Sequence, residues 1–267
     1  MIEMNIQANN ENILAIDAGN TRLKWGLFNT SGIIIEQGAY LHAELTTAVL
    51  PVASRVVISN VAGHTIQAQI KALLPRNATP RWISAQSAAC GVSNHYGKPT
   101  TLGSDRWAAI IAAWHIKQIP CVVVNAGTAV TIDALCIQPA SHKDKAAFIG
   151  GLILPGLDLM QQSLGLATAQ LPMQASTQQS QLGIFAKNTA DAMLAGALHA
   201  ILGAIDRMAC ELQQHCKQVP HIVISGGNSN IIKSHLTGDM TEQAVIVDNL
   251  VLQGLYLLEK FMQSESQ

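Results

Sequence analysis

Residues 13–28 read I-L-A-I-D-A-G-N-T-R-L-K-W-G-L-F, and residues 121–135, C-V-V-V-N-A-G-T-A-V-T-I-D-A-L, repeat the plan. Each copy has an apolar run, an Asp or Asn, a small residue, a glycine, a polar turn and then alternation. The apolar run is a buried strand, Ala18-Gly19-Asn20-Thr21 a tight turn, and Arg22 to Phe28 a second strand at period 2. That period puts Arg22 and Lys24 on one face and Leu23, Trp25 and Leu27 on the other. A turn of this composition beside a carboxylate suits a nucleotide phosphate. Glycine lets the backbone approach closely, amides and hydroxyls donate to phosphate oxygens, and Asp17 holds Mg²⁺ through water. Two such hairpins facing each other would grip one nucleotide from both sides.

Composition narrows the function further. A chain of 267 residues is long for one core and comfortable for two modest domains. Only 12% of residues are charged, which points to a buried subunit interface. The net charge of −1 and the lack of any basic run argue against nucleic acid as a partner. The polar start has no positively charged region typical of a signal peptide, so residues 1–12 read as a flexible extension. The apolar segment Ala108–Ile116 is too short to span a bilayer, so no membrane partner is expected. Five scattered cysteines without a CxxC pair, and histidines without HxxxH spacing, predict cytoplasmic reduced thiols and no transition-metal site.

Along the first half the pattern predicts a hairpin (13–37), a helix (43–50), a strand (Val56–Ser59), a helix (64–74) and a strand (Trp82–Ser84). The loop Y-G-K-P-T-T-L-G-S-D-R (96–106) then leads into a helix with the apolar stripe Trp107, Ile110, Ile111, Trp114. The domain boundary falls at Pro120, giving domains 1–119 and 120–267. In the second half the hairpin is followed by a turn-rich connector (Gly150–Gly156) and a helix from Leu157 to Leu164. A polar loop (175–181) comes next, then a long helix capped by Thr189 with a small-residue stripe, Gly196, Ala200 and Gly203. The strand His221–Ser225 runs into G-G-N-S-N, and a last helix covers 248–263. There is no GxGxxG or Walker A motif, so hairpin turns rather than a helix N-terminus would hold the nucleotide. Related hairpins opening two mixed α/β halves predict an α/β fold of duplicated ribonuclease H-like (actin/Hsp70-like) domains, with the nucleotide cleft between them.

In this order the segments resemble type III pantothenate kinase, also called the Bvg accessory factor family, within the acetate and sugar kinase/Hsp70/actin superfamily. The resemblance runs from Ile13 to about Glu259. It rests on D-A-G-N-T, Y…P…L-G-S-D-R, N-A-G-T-A-V-T-I-D, G-G-L-I-L-P-G, N-T-A-D-A-M-L-A-G and V-I-S-G-G-N. It implies ATP-dependent phosphorylation of pantothenate to 4′-phosphopantothenate, the first step of coenzyme A biosynthesis.

The resemblance also implies roles. Asp17, Gly19, Asn20, Thr21, Arg22 and Lys24 would form the first ATP phosphate segment, with Mg²⁺ at Asp17, and Thr128 would contribute from the second hairpin. Gly226 and Gly227 would lie beside adenosine. Tyr96, Gly103, Ser104, Asp105 and Arg106 would contact pantothenate, Asp105 being the general base. Thr189 would reach the substrate of the other subunit in a homodimer. Asn125 stands where the family usually has Asp, at the site of an activating K⁺ or NH₄⁺ ion. A neutral amide attracts a cation more weakly, so the expectation is a weak or lost site. Asp133, on the same face as Thr131, is the alternative donor. Two rival functions stay open: a non-catalytic transcriptional accessory factor and another phosphotransferase of the superfamily.

Overall fold

The computed structural model describes residues 11–139, 143–167 and 183–265; the polar loop 175–181 and most of the amino-terminal extension lie outside them. The first half contains β1 (Ile13–Ala18), β2 (Arg22–Phe28), β3 (Ile34–Leu41), β4 (Arg55–Asn60), α1 (His64–Leu73), β5 (Arg81–Trp82), β6 (Ala88–Ala89), β7 (Val92–Asn94) and α2 (Ser104–Lys117). The second contains β8 (Cys121–Ala126), β9 (Ala129–Ile137), β10 (Ala146–Pro155), α3 (Leu157–Ala167), α4 (Thr189–Cys216) and β11 (His221–Ser225). It closes with α5 (Ser229–Ser234), α6 (Asp239–Gln243), β12 (Ala244–Ile246) and α7 (Leu250–Ser264).

The first sheet has the order β3-β2-β1-β4-β5; the second runs β10-β9-β8-β11-β12, with β7 and β6 added beyond β10. In each, the leading strand pairs antiparallel with its hairpin partner and parallel with the strand that returns beside it. One topology occurs twice, which is the duplicated ribonuclease H-like fold that the paired hairpins predict. Two pieces cross the halves. β7 pairs with β10 of the second sheet, and α7 packs back on α2, β1 and β4.

Alternation decides what each sheet face touches. Leu14, Ile16, Val56 and Ile58 face α1, while Ile13, Ala15 and Val57 face α2 and α7. In the second sheet Val122, Val124 and Ile132 face α4, while Val123 and Leu135 turn inward to the same α2 and α7. Helices therefore fill three layers around two sheets. The expected single stripe on α2 is too narrow a reading: every residue from Arg106 to Trp114 is buried, because sheets and α7 surround the helix. At Gly254 on α7 an added Cβ would run into the Ala108 backbone, so glycine sets how closely α2 and α7 approach.

Three local expectations change. Residues 43–50 form only a short 3₁₀ turn, His42–Glu44, because Thr46, Thr47 and Val49 ahead of Pro51 disfavour a helix. Gly150–Gly156 is not a connector. It is the end of the ten-residue strand β10, where Gly150 (φ 135°) supplies a bulge. The cap of α4 is Asn188, whose Oδ1 accepts from Asp191 N–H at 2.9 Å, leaving Thr189 as the first helical residue. Although α4 is long and apolar enough by composition to cross a membrane, its Leu194, Leu198, Ile201 and Ile205 are buried against the second sheet. Its opposite stripe, Gly196, Ala200 and Gly203, is exposed, and nothing lies within 4 Å of where a Cβ would sit on either glycine.

Candidate active site

Both inner faces begin apolar and become polar where their strands end. Asp17 sits in register with Lys24 on β2 and Ser59 on β4. Asn125 occupies the matching position in the second sheet, in register with Thr131 on β9 and Ser225 on β11. These ends open into a cavity of about 250 Å³ lined by Asp17, Lys24, Asn125, Gly226, Gly227 and residues 248–252. The two hairpin turns meet each other, the hydroxyls of Thr21 and Thr128 lying 2.7 Å apart. Asn20, Thr21, Arg22 and Thr128 are exposed there. Gly226 has φ 100°, and a Cβ on it would strike the Ala126 carbonyl, so glycine is what lets this loop lie against the end of β8.

The electrostatics single out Asp17. Burial, then the charge of Asp105, push its carboxyl up to about 7 against the pull of Lys24. Its Oδ1 is buried without a hydrogen-bond partner among the described residues. A carboxylate oxygen left unsatisfied beside a cleft lined by backbone and amide groups fits a hydrated Mg²⁺, whose charge and water would supply what the protein does not.

The second carboxylate comes from the start of α2. Gly103 precedes the helix, and the Ser104 hydroxyl is 2.8 Å from that of Ser59, both buried. Asp105 Oδ1 accepts from Arg106 N–H at 2.8 Å. A Cβ on Gly103 would lie 2.6 Å from that same oxygen, so the glycine gives the carboxylate its room. Burial raises the Asp105 pKa, and the backbone N–H groups and the Arg106 charge only partly offset it. Because Asp105 is the second cause of the Asp17 shift, the two carboxyl groups share one field.

Arg106 is not free in the cleft. It is buried, its Nε donates to Asp133 Oδ2 at 3.2 Å, its Nη2 donates to Asp133 Oδ1, and its Nη1 donates to Tyr96 Oη at 2.9 Å. Both Asp133 oxygens thus accept from Arg106.

The structure therefore gathers Asp17, Lys24, Asn125, Gly226 and Gly227 around one cavity, while Thr21 and Thr128 touch each other without lining it. It places Ser104, Asp105 and Arg106 at the start of α2, with Tyr96 on Arg106. Thr189 is exposed and lines no part of this cavity. Sequence reading missed Ser59, Ser225, Asp248 and Asn249. Ser59 and Ser225 end strands recognisable only by their apolar runs, and register alone carries them to Asp17 and Asn125. Asn249 adopts φ 54°, a conformation that Asn tolerates and that nothing in its neighbours announces.

Comparison with known proteins bears on this arrangement. A family model described as type III pantothenate kinase matches residues 13–211. A relative from Nitrosospira multiformis named type III pantothenate kinase is 40% identical over 253 residues, covering 93% of this chain and 91% of that protein. Among solved structures, a protein assigned to the Baf family of transcriptional activators from Campylobacter jejuni aligns with TM-score 0.60 at 19% identity, covering 95% of this chain and 98% of its own. One assigned as a 2-dehydro-3-deoxygalactonokinase from Sinorhizobium meliloti aligns with TM-score 0.56 at 13% identity, covering 94% and 99%. At these identities the structural matches establish the fold alone.

Proposed function

The chain belongs to the type III pantothenate kinase family, and we propose that it transfers the γ-phosphoryl group of ATP to the primary hydroxyl of pantothenate. The observation that supports this reading is the meeting of the two hairpin turns, with the Thr21 and Thr128 hydroxyls 2.7 Å apart, together with the one cavity that Asp17, Lys24, Asn125, Gly226 and Gly227 line. Asp17, Gly19, Asn20, Thr21, Arg22, Lys24 and Thr128 hold the phosphates, and Gly226 and Gly227 face the adenosine. Asp17 would hold Mg²⁺, which would supply positive charge against the transferring phosphates. Asp105 accepts the hydroxyl proton, and burial makes it a better acceptor than a solvated aspartate. Most of the remaining rate comes from holding acceptor and phosphate in line.

The working domains are 1–119 and 120–267, each carrying one five-strand unit, with β6–β7 and α7 exchanged across that boundary. The second copy completes the molecule. The open Gly196/Ala200/Gly203 stripe on α4 supports a homodimer in which Thr189 reaches the partner's substrate. Light scattering that gives a monomer mass at micromolar concentration, with full activity, would remove both. Five free cysteines agree with a cytoplasmic setting. Asn125 leaves activation by K⁺ or NH₄⁺ weak or absent. An ATP-dependent assay offering pantothenate beside a panel of sugars and acetate tests the whole reading; phosphorylation of a sugar or acetate in place of pantothenate would overturn it.

A further inference from the structure

We propose that Asp133 is a positioning residue for phosphoryl transfer: it orients Arg106 so that one N–H on each terminal guanidinium nitrogen stays available for an oxyanion. This rests on the reading above, with Arg106 contacting pantothenate as the resemblance implies. A guanidinium has five N–H donors. Asp133 takes two, on Nε and Nη2, and Tyr96 Oη takes one on Nη1. No other bond from this side chain exists among the described residues, so two donors remain, one on Nη1 and one on Nη2. Charged N–H donors of this kind suit the oxygens of a phosphoryl or carboxylate group.

Everything around the guanidinium serves to fix it. The Tyr96 and Phe148 ring centroids lie 5.7 and 5.9 Å from Cζ. Asp133 and Arg106 are 1% and 6% exposed, so neither swings into water. Opposite them β10 carries Gly151, where a Cβ would press on the Asp133 carboxylate and lie 2.9 Å from Nη2. Burial disfavours charge on both partners. The hydrogen bonds and charge of Asp133 nevertheless hold Arg106 above its usual pKa. An ion pair buried this deeply is weak evidence for stability, since apolar packing would serve as well or better. Its use lies in presenting a cation at fixed orientation one residue from Asp105.

Chemical rescue separates positioning from mere structure. Arg106→Ala should lose most activity, and dilute guanidinium chloride should restore part of it, because Asp133 still holds the added cation. In Arg106→Ala/Asp133→Asn, which leaves no unpaired buried charge, the same guanidinium should restore nothing. Asp133→Asn alone should lower kcat/KM for pantothenate about 10- to 100-fold, as loss of an outer partner does at other sites, with KM for ATP unchanged. Running these variants with pantothenol, which has an alcohol in place of the carboxylate, identifies the oxyanion. An equal penalty assigns it to the transferring phosphoryl group, and a vanished penalty to the substrate carboxylate. Rescue that is absent or indifferent to Asp133, or wild-type kinetics in Asp133→Asn, overturns the proposal. Failure of the wild-type protein to phosphorylate pantothenate would instead overturn the reading on which it rests.

Discussion

Asp17→Asn measures what the fold gives up to keep a carboxylate at the cleft. The folded-state pKa is about 7 against an ordinary 3.8, with burial as the main cause. A raised carboxyl means that the folded protein binds the proton more tightly than the unfolded chain. Below about pH 4 both states are protonated and Asp17 costs nothing. Between about pH 4 and 7 the unfolded chain releases its proton while the folded protein keeps it, so stability falls; above about 7 the full cost is present. At 1.36 kcal/mol per unit, the shift amounts to on the order of 4 kcal/mol. The amide of Asn does not titrate, so its burial costs the same at every pH. In metal-free buffer with a chelator, urea denaturation should show Asp17→Asn gaining on the wild type by about 2–3 kcal/mol between pH 5 and 8. Titration of groups outside its field is common to both proteins and cancels in this difference, while Asp105, which shares that field, contributes to it. Added Mg²⁺ and nucleotide should then stabilise the wild type and do little for the variant. A stability gap that does not change with pH would refute the reasoning, because Asp17 would then be solvated.

Asp105→Asn should fold and bind ATP but lose about 10²- to 10⁴-fold in kcat, the usual worth of a general base; retention of more than half the turnover would sink the assignment. In sodium or Tris buffer the native protein should show little response to added potassium, and Asn125→Asp should create or sharpen one. Strong, saturable activation of the native protein would refute the weakened-site reading. Gly254→Ala should destabilise despite the helix propensity of Ala, worth about 1 kcal/mol, because the new Cβ meets the α2 backbone at Ala108. Overpacking of this kind typically costs about 1–3 kcal/mol, and a denaturation midpoint at or above wild type would show that the helices part without cost.

What could be read from the chain depended on whether the signal was local. The hairpin Ile13–Phe28 announced itself because apolar run, turn glycine and alternation are all close in sequence, and its repeat at Cys121 implied a second sheet of the same topology. The return of α7 to the first half left no such trace, since its apolar face suits either half, and only the meeting of Gly254 with Ala108 shows where it goes. Gly150-Gly151 misled for a related reason. Paired glycines signal a turn when nothing else is known, whereas here one makes a bulge and the other clears space for a buried ion pair. Asp133 carries the lesson furthest. By alternation it shares a face with Thr131, which suggests a cation ligand, and that inference about the face is correct. What alternation cannot supply is the element packed on that face. In the folded protein it is the start of α2, whose Arg106 donates to both oxygens of that carboxylate. The stretch Gly103–Arg106 was thus legible as a motif, while the residues that touch it, Ser59 and Asp133, become visible only once strands and helix are brought together.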